Sequence, residues 1–217
     1  MRYLAIGDIH GNYRALRALA DAVHIGSGDR IIAMGDYVDR GLESAAVLDW
    51  LIQHHQAGIL IAIRGNHEIM MLEARGGPEA AAQWCACGGD ATLHSYGTLE
   101  DVPPAHWSFL EEDLVPYAEI DSHFFVHANA YPDIDLDDQP EYMLAWESYR
   151  DGPPHVSGKV MVCGHTPQPS GHPRNLGHAI CLDTGSGRGG WLTCLDIRAG
   201  RYWQADETGR VRAAWLA

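Results

Sequence analysis

Arg30-Ile31-Ile32-Ala33-Met34-Gly35-Asp36-Tyr37-Val38-Asp39-Arg40-Gly41 reads as a buried β-strand that breaks at a Gly-Asp pair into a polar turn, with a helical pattern following from about residue 43 to 54. The same succession stands on either side of it. Residues 2–6 lead into Gly7-Asp8-Ile9-His10-Gly11, after which residues 13–23 set Leu16, Leu19, Ala20 and Val23 on one helical face. Residues 59–63 end in Arg64-Gly65-Asn66-His67-Glu68, again ahead of a helix. Three such units predict strands whose carboxyl ends all carry polar clusters, and that is where open α/β sheets hold their ligand crevice.

Farther out, the pattern changes. Residues 76 to about 112 are short helical pieces broken by Gly88-Gly89 and Pro103-Pro104, which predicts a helical cap. Strand patterns return at 117–120 and 123–126, and a helix is predicted over 141–149. The last third holds strand patterns at 159–163, 179–182, 191–197, 201–205 and 211–215 without comparable helices, which predicts a mainly antiparallel second sheet packed on the first. A length of 217 residues at 46% apolar suits one domain, 1–217, and is short for two.

With 15 Lys and Arg against 29 Asp and Glu, the net charge of −14 argues against duplex nucleic acid or an anionic membrane as partner. The longest apolar run, Ile59–Ile63, is far below the roughly 18 residues that a membrane span needs. The first strand reaches Gly7-Asp8 before a signal core could form, so the expected location is the cytoplasm. Five scattered cysteines, with no Cys-x-x-Cys, read as apolar filler of a reduced protein rather than as a disulfide framework or zinc ribbon.

Asp8, His10, Asp36, Asn66, His67, His127 and His165 each lie at a predicted strand end or in the turn behind it. Carboxylate and amide oxygens with imidazole nitrogens, and no thiolate, suit Mn, Fe or Zn. Two such ions need a shared carboxylate, and Asp36, in the central turn, is the candidate bridge; paired ions serve in-line attack on phosphorus. Arg40 and Arg64 border the same crevice, as guanidinium clamps on phosphate would. Asp39 is placed to orient His67, which would then protonate a leaving oxygen as general acid.

The blocks Gly7-Asp8-Ile9-His10-Gly11, Gly35-Asp36-Tyr37-Val38-Asp39-Arg40-Gly41, Arg64-Gly65-Asn66-His67-Glu68, Val126-His127-Ala128 and Gly164-His165-Thr166 resemble, in order and spacing, the signature of the phosphoprotein phosphatase family of calcineurin-like metallophosphoesterases. The likeness spans nearly the whole chain and is greatest to compact bacterial serine/threonine phosphatases, whose cap Trp84–Tyr96 is similar to. It implies an α+β fold, a four-layer α/β/β/α sandwich of two packed mixed sheets flanked by helices, with the small cap at about 76–112. It also implies two divalent ions, Mn²⁺ foremost, one on Asp8, His10 and Asp36 and the other on Asp36, Asn66, His127 and His165. Arg40 and Arg64 would hold phosphate, and Asp39 with His67 would supply the proton. The implied reaction is attack of a metal-bridging hydroxide on a phosphomonoester, foremost phosphoserine or phosphothreonine in a protein.

One position departs from that pattern. Bacterial members carry Trp-x-Arg behind the fourth block, whereas Trp146-Glu147-Ser148 sets Ser148 there and Arg150 two residues on. Arg150 is the substitute phosphate ligand, although on a helix two residues turn a side chain by about 200°. The alternatives are a diadenosine polyphosphate or other nucleotide hydrolase, a phosphotyrosine phosphatase, and a silent phosphate-binding regulatory module. Of the 13 histidines, those outside the blocks read as surface or structural. The aspartates at 133, 135, 137 and 138 read as a solvated loop without an EF-hand register, and Arg188 as part of a solvated glycine loop.

Overall fold

Strand alternation sorts the apolar side chains into three spaces between layers. The computed structural model describes all of residues 1–217, with β1 (Tyr3–Ile6), α1 (Tyr13–Val23), β2 (Arg30–Ala33), α2 (Ser44–Gln56), β3 (Leu60–Ala62) and α3 (Asn66–Glu73) in chain order. The cap follows as α4 (Pro78–Trp84), α5 (Asp90–Tyr96) and α6 (Pro104–Ser108). Then come β4 (Tyr117–Glu119), β5 (His123–Val126), α7 (Glu141–Ala145), β6 (Val160–Cys163), β7 (Arg174–Asn175), β8 (Ala179–Cys181), β9 (Leu192–Asp196), β10 (Arg201–Ala205) and β11 (Val211–Trp215).

The first sheet runs β11-β10-β9-β1-β2-β3 and the second β4-β5-β6-β8-β7. Leu4 and Ile6, with Ile31 and Ala33, face α1 and α2, where Leu16, Leu19, Val47 and Leu51 cover them. Ala5 and Ile32 point the opposite way and meet Phe125, Val162 and Ile180 of the second sheet. Phe124 and Val126, one residue out of phase with Phe125, emerge on the far face with Met161 and Cys163, beneath Leu136 and Leu144. The layers are therefore helix, sheet, sheet, helix, the fourth of them thin. Trp84, Phe109 and Leu110 seat the cap in the same core as α2.

Two expectations are corrected. The last third does not make a second sheet of its own: β9, β10 and β11 extend the first sheet antiparallel to β1, while β6 and β8 join β5 as parallel strands. The sequence carries no helices between these strands, and irregular loops make the crossovers instead. The predicted helix over 141–149 stops at Ala145 because its carbonyls are taken. Ala128 N–H donates to the Leu144 carbonyl at 2.7 Å and Asn129 N–H to that of Met143 at 3.1 Å, the two acceptors that a further turn would need. Arg150 is therefore not helical, and the helical rotation does not apply to it.

Phe125 is wholly buried between the sheets, so Phe125→Ala is expected to cost about 3–5 kcal/mol. Ile61→Ala, at a position 40% exposed, is expected to cost less than about 1.5 kcal/mol. Urea unfolding of both variants checks the pair.

Candidate metal centre and active site

The turns behind β1, β2, β5 and β6 converge on one buried cluster, and their backbone is bent to do so. His10 (φ 50°), Asp36 (53°), Asp39 (72°), Arg40 (69°) and His165 (62°) all occupy the left-handed region, which costs a non-glycine residue on the order of 1 kcal/mol. Neighbouring groups hold them there. The buried Glu68 carboxylate accepts N–H bonds from Asp36 (2.9 Å), Tyr37 (2.7 Å) and Gly65 (3.0 Å), and the Asp36 carbonyl accepts from Ile9 and His10. Close approach forbids a side chain at two glycines. A Cβ on Gly164 would strike Asp8 Oδ1, and one on Gly35 (φ 97°) would lie 2.6 Å from His127 Nδ1.

The tautomers follow from the outer hydrogen bonds. Burial holds the His10 pKa down to about 3, so the ring is neutral; its Nδ1–H donates to the Val38 carbonyl at 3.0 Å and the Nε2 lone pair faces Asp36 Oδ2 at 3.5 Å. Burial likewise lowers the His127 pKa. Its Nδ1–H donates to the Met34 carbonyl at 2.7 Å, leaving the Nε2 lone pair 3.3 Å from Asp36 Oδ1 and 3.1 Å from Asn66 Oδ1. His165 Nδ1 stands 3.0 Å from the same Asn66 oxygen, and burial with the His127 ring holds its pKa at about 4. Burial works against the charged form of Asp36, but His127, His67, His10 and His165 together outweigh it and depress the carboxyl pKa.

This donor set fits divalent metal. Asp36 Oδ1, Asn66 Oδ1, His127 Nε2 and His165 Nδ1 are four acceptor atoms turned on one point, and two neutral rings bring no proton to place among them. In two triads, His10-Asp36-His67 and Asp36-His127-His165, one donor atom of each residue lies within 4.8 Å of the others, and Asp36 is common to both. Asp8 lies beside them. Its carboxylate accepts the His165 N–H at 2.9 Å, and burial, with Asp183 and Asp36 nearby, pushes its pKa well up.

The proposed proton-donor pair is also assembled. His67 Nδ1–H donates to Asp39 Oδ2 at 2.6 Å, and the fully buried Asp39 is clasped by Trp84 Nε1–H at 2.9 Å and the Thr92 hydroxyl at 2.7 Å, both from the cap. Burial opposes an imidazolium at His67, but Asp36 and Asp39 outweigh it and the pKa is raised. Arg40 places Nη1 2.7 Å from His10 Nε2 and Nη2 3.1 Å from His67 Nε2, at the mouth of the cluster.

Arg64 and Arg150 are not brought to the cluster. Arg64 donates to the Glu111 carbonyl at 3.2 Å, and Arg150, with its side chain 77% exposed, pairs with Glu147 beside a separate cavity of about 310 Å³ walled by Phe124, Met161 and His178. Glu68, Trp84, Thr92 and Asp183 carry roles that the sequence reading did not assign. Only Glu68 has a local signal: it is the third residue of α3, the position whose carboxylate reaches back to the N-cap N–H.

The sequence profile of the calcineurin-like phosphoesterase family matches residues 1–190. Serine/threonine-protein phosphatase 1 of Salmonella typhimurium is 28% identical over 205 residues, 89% of this chain and 90% of that protein. Serine/threonine-protein phosphatase 2 of Escherichia coli is 40% identical over 86 residues, but the match spans only 39% of this chain and 37% of that protein. The asymmetrical bis(5'-nucleosyl)-tetraphosphatase PrpE of Bacillus velezensis is 25% identical over 227 aligned positions, 89% of this chain and 88% of its own. A cold-active protein-tyrosine phosphatase structure from a Shewanella species superposes with a TM-score of 0.64 at 17% identity, covering 98% of this chain and 80% of that one. No helix is long and apolar enough to cross a membrane.

Glu68→Gln would turn an amide NH₂ on a main-chain N–H, leaving a buried donor unmatched. The expected loss is about 2–4 kcal/mol, read as a fall in melting temperature at neutral pH.

Proposed function

The chain belongs to the calcineurin-like phosphoesterase family, and within it we propose a metal-dependent phosphatase acting on phosphomonoesters, foremost phosphoserine and phosphothreonine in proteins. The observation that carries the proposal is the shared Asp36 carboxylate, with His10 and His67 on one side and Asn66, His127 and His165 on the other. The near full-length likeness to the Salmonella phosphatase supports the substrate class. Two divalent ions held by Asp8, His10, Asp36, Asn66, His127 and His165, manganese before iron or zinc, would polarise the phosphoryl group and acidify water when bound.

The chain's own residues do the rest. Arg40, with two donors facing the centre, holds phosphoryl oxygens and offsets the charge that builds on them. Water adds to phosphorus and releases a proton to solvent, the P–O ester bond breaks, and the leaving oxygen takes the proton from His67 Nε2, which solvent then reprotonates. Asp39 stabilises the imidazolium before the transfer, and Trp84 and Thr92 keep Asp39 in place. A second reading, hydrolysis of a dinucleotide polyphosphate with the same groups, has the full-length likeness to the Bacillus enzyme in its favour. Separating free phosphate from nucleotide products distinguishes the two.

On manganese-reconstituted protein, His67→Asn is expected to lower turnover of para-nitrophenyl phosphate by about 10²–10⁴-fold while metal content stays near wild type. Asp36→Asn should abolish both, and an active Asp36→Asn protein would end the proposal. The basic limb of the pH profile belongs to His67, whose raised pKa keeps it protonated to higher pH. Without the Asp39 carboxylate, Asp36 alone opposes burial and that pKa falls, so Asp39→Asn is expected to move the basic limb to lower pH. An unmoved limb would assign it to another group.

A further inference from the structure

The cavity of about 310 Å³ beside Arg150 lies between the outer face of the second sheet and the stretches 129–132 and 147–155. Its floor is Phe124 of β5 and Met161 of β6, with Met143 of α7 next to them, all three buried. Tyr131 and His155 stand at its sides, and the His155 ring lies 4.8 Å from that of Phe124, tilted by 51°. Aromatic faces and two thioethers make a lining suited to another ring.

The polar groups at the rim are already spent. Glu147 pairs with Arg150 at 3.5 Å, and Asp151 with Arg174. Asn129 gives its amide to the Ser148 carbonyl at 3.0 Å and takes the Ala130 N–H at 2.9 Å, while Ile134 and Ser157 engage the two nitrogens of His155. A charged occupant therefore finds its possible partners taken, whereas a neutral apolar one gives up no hydrogen bond by entering. The volume stands at the small end of ligand pockets, which run from about 300 to 1,000 Å³, so it suits one ring and excludes a dinucleotide.

The cavity shares a wall with the metal centre. Asn129 follows His127 by two residues, at most about 8 Å of main chain. On the other side of the wall, Tyr149 N–H donates at 2.8 Å to the hydroxyl of Thr166, the residue after His165. With Arg64 and Arg150 turned away from the cluster and Ser148 in the place of a further arginine, Arg40 is left to hold the phosphoryl group, so a protein substrate must gain affinity from the residues around its phosphate.

We propose that this cavity receives an aromatic side chain of a phosphorylated polypeptide, a few residues along the chain from the phosphoserine or phosphothreonine being hydrolysed. The proposal deepens the phosphatase reading and rests on it for the position of the phosphoryl group. The wall between the two sites keeps the scissile residue itself out of the cavity, so the occupant is a neighbouring residue of the same polypeptide.

The test compares kcat/KM on manganese-reconstituted protein for a phosphothreonine peptide flanked by alanine and for peptides in which one phenylalanine, glutamate or lysine is moved through the flanking positions. Phenylalanine is expected to give a gain of at least about tenfold at one or two positions, through KM, which is what burial of one such ring supplies. Gly152 lines the cavity and a Cβ there meets nothing within 4 Å. Gly152→Phe, which offers the cavity a ring from within the chain, is expected to abolish the gain relative to the alanine peptide on the same variant, and Gly152→Ser to keep it. Equal values for all peptides, an equal gain from glutamate or lysine, or a gain that survives Gly152→Phe overturns the proposal. Binding is read apart from turnover from the methyl signals of the six methionines in zinc-loaded protein titrated with N-acetyl-phenylalaninamide. Those of Met143 and Met161 are expected to shift saturably, and their failure to shift overturns the proposal as well. Should the wild type hydrolyse para-nitrophenyl phosphate but no phosphopeptide, the protein-substrate reading falls, while the methyl titration still decides whether the cavity takes a ring.

Discussion

Asp36 is the carboxylate around which the rest is arranged. It sits in a left-handed turn, its N–H is taken by Glu68, its carbonyl carries the Ile9–His10 turn, and its two oxygens face four imidazoles. A buried carboxylate without compensation costs several kcal/mol, and of the four rings only His67, with its raised pKa, offers it positive charge, while the neutral His10 and His127 aim lone pairs toward it as ligands around a cation would. Three of the rings are fixed in turn from outside: His10 by Val38, His127 by Met34 and His67 by Asp39. The acceptors Val38, Met34 and Asp39 all come from the β2 end and its turn, so one segment supplies both the bridge and most of the orientation of the groups that face it.

The cap extends that arrangement into the acid pair. Trp84 and Thr92 converge on Asp39, and the Gly88 carbonyl accepts the Arg40 N–H at 3.0 Å, so the two residues after Val38 are both held by cap main chain or side chain. Trp84 itself is buried in the core that packs α1 and α2 against the first sheet. Core packing, cap position and the orientation of His67 are thereby one mechanical unit, and a cavity made under the cap would reach the proton donor through Trp84.

What was legible in the sequence follows from how local its causes are. Strand-turn-helix succession at Asp8, Asp36 and Asn66 is set within about ten residues, and it marks the clustered side chains without any knowledge of strand order. Strand pairing is not local: β9 and β6 have similar apolar patterns, yet one joins β1 and the other β5, and only the packing of Ala5 and Ile32 against Phe125 between the two sheets decides which. The end of α7 was hidden for the same reason, since the donors that take its carbonyls come from residues 128 and 129. Arg64 and Arg150 are marked by their places in the motifs, and a place in the sequence does not say where a long, flexible side chain goes. Asp183 had no motif to mark it; it is buried beside Asp8 through the β8 loop.

Charge explains why protons alone cannot satisfy this cluster. His10 and His165, held near 3 and 4, add stability above the ordinary imidazole pKa of about 6.5 and lose it as pH falls toward those values. Glu68 and Asp183, raised by burial to about 7 and about 6, behave oppositely: their stability is complete below the ordinary carboxyl range and is lost as pH rises through those values. Lowering the pH to relieve the acids therefore strains the imidazoles, and raising it to relieve the imidazoles ionises Glu68 near Asp36 and Asp183 near Asp8. A divalent cation escapes the conflict, because it binds neutral imidazole and ionised carboxylate together. The cluster is therefore built for a charge that stays put while protons move, and the one proton it handles freely, on His67, lies at the edge where Asp39 rather than a shared acid sets its position.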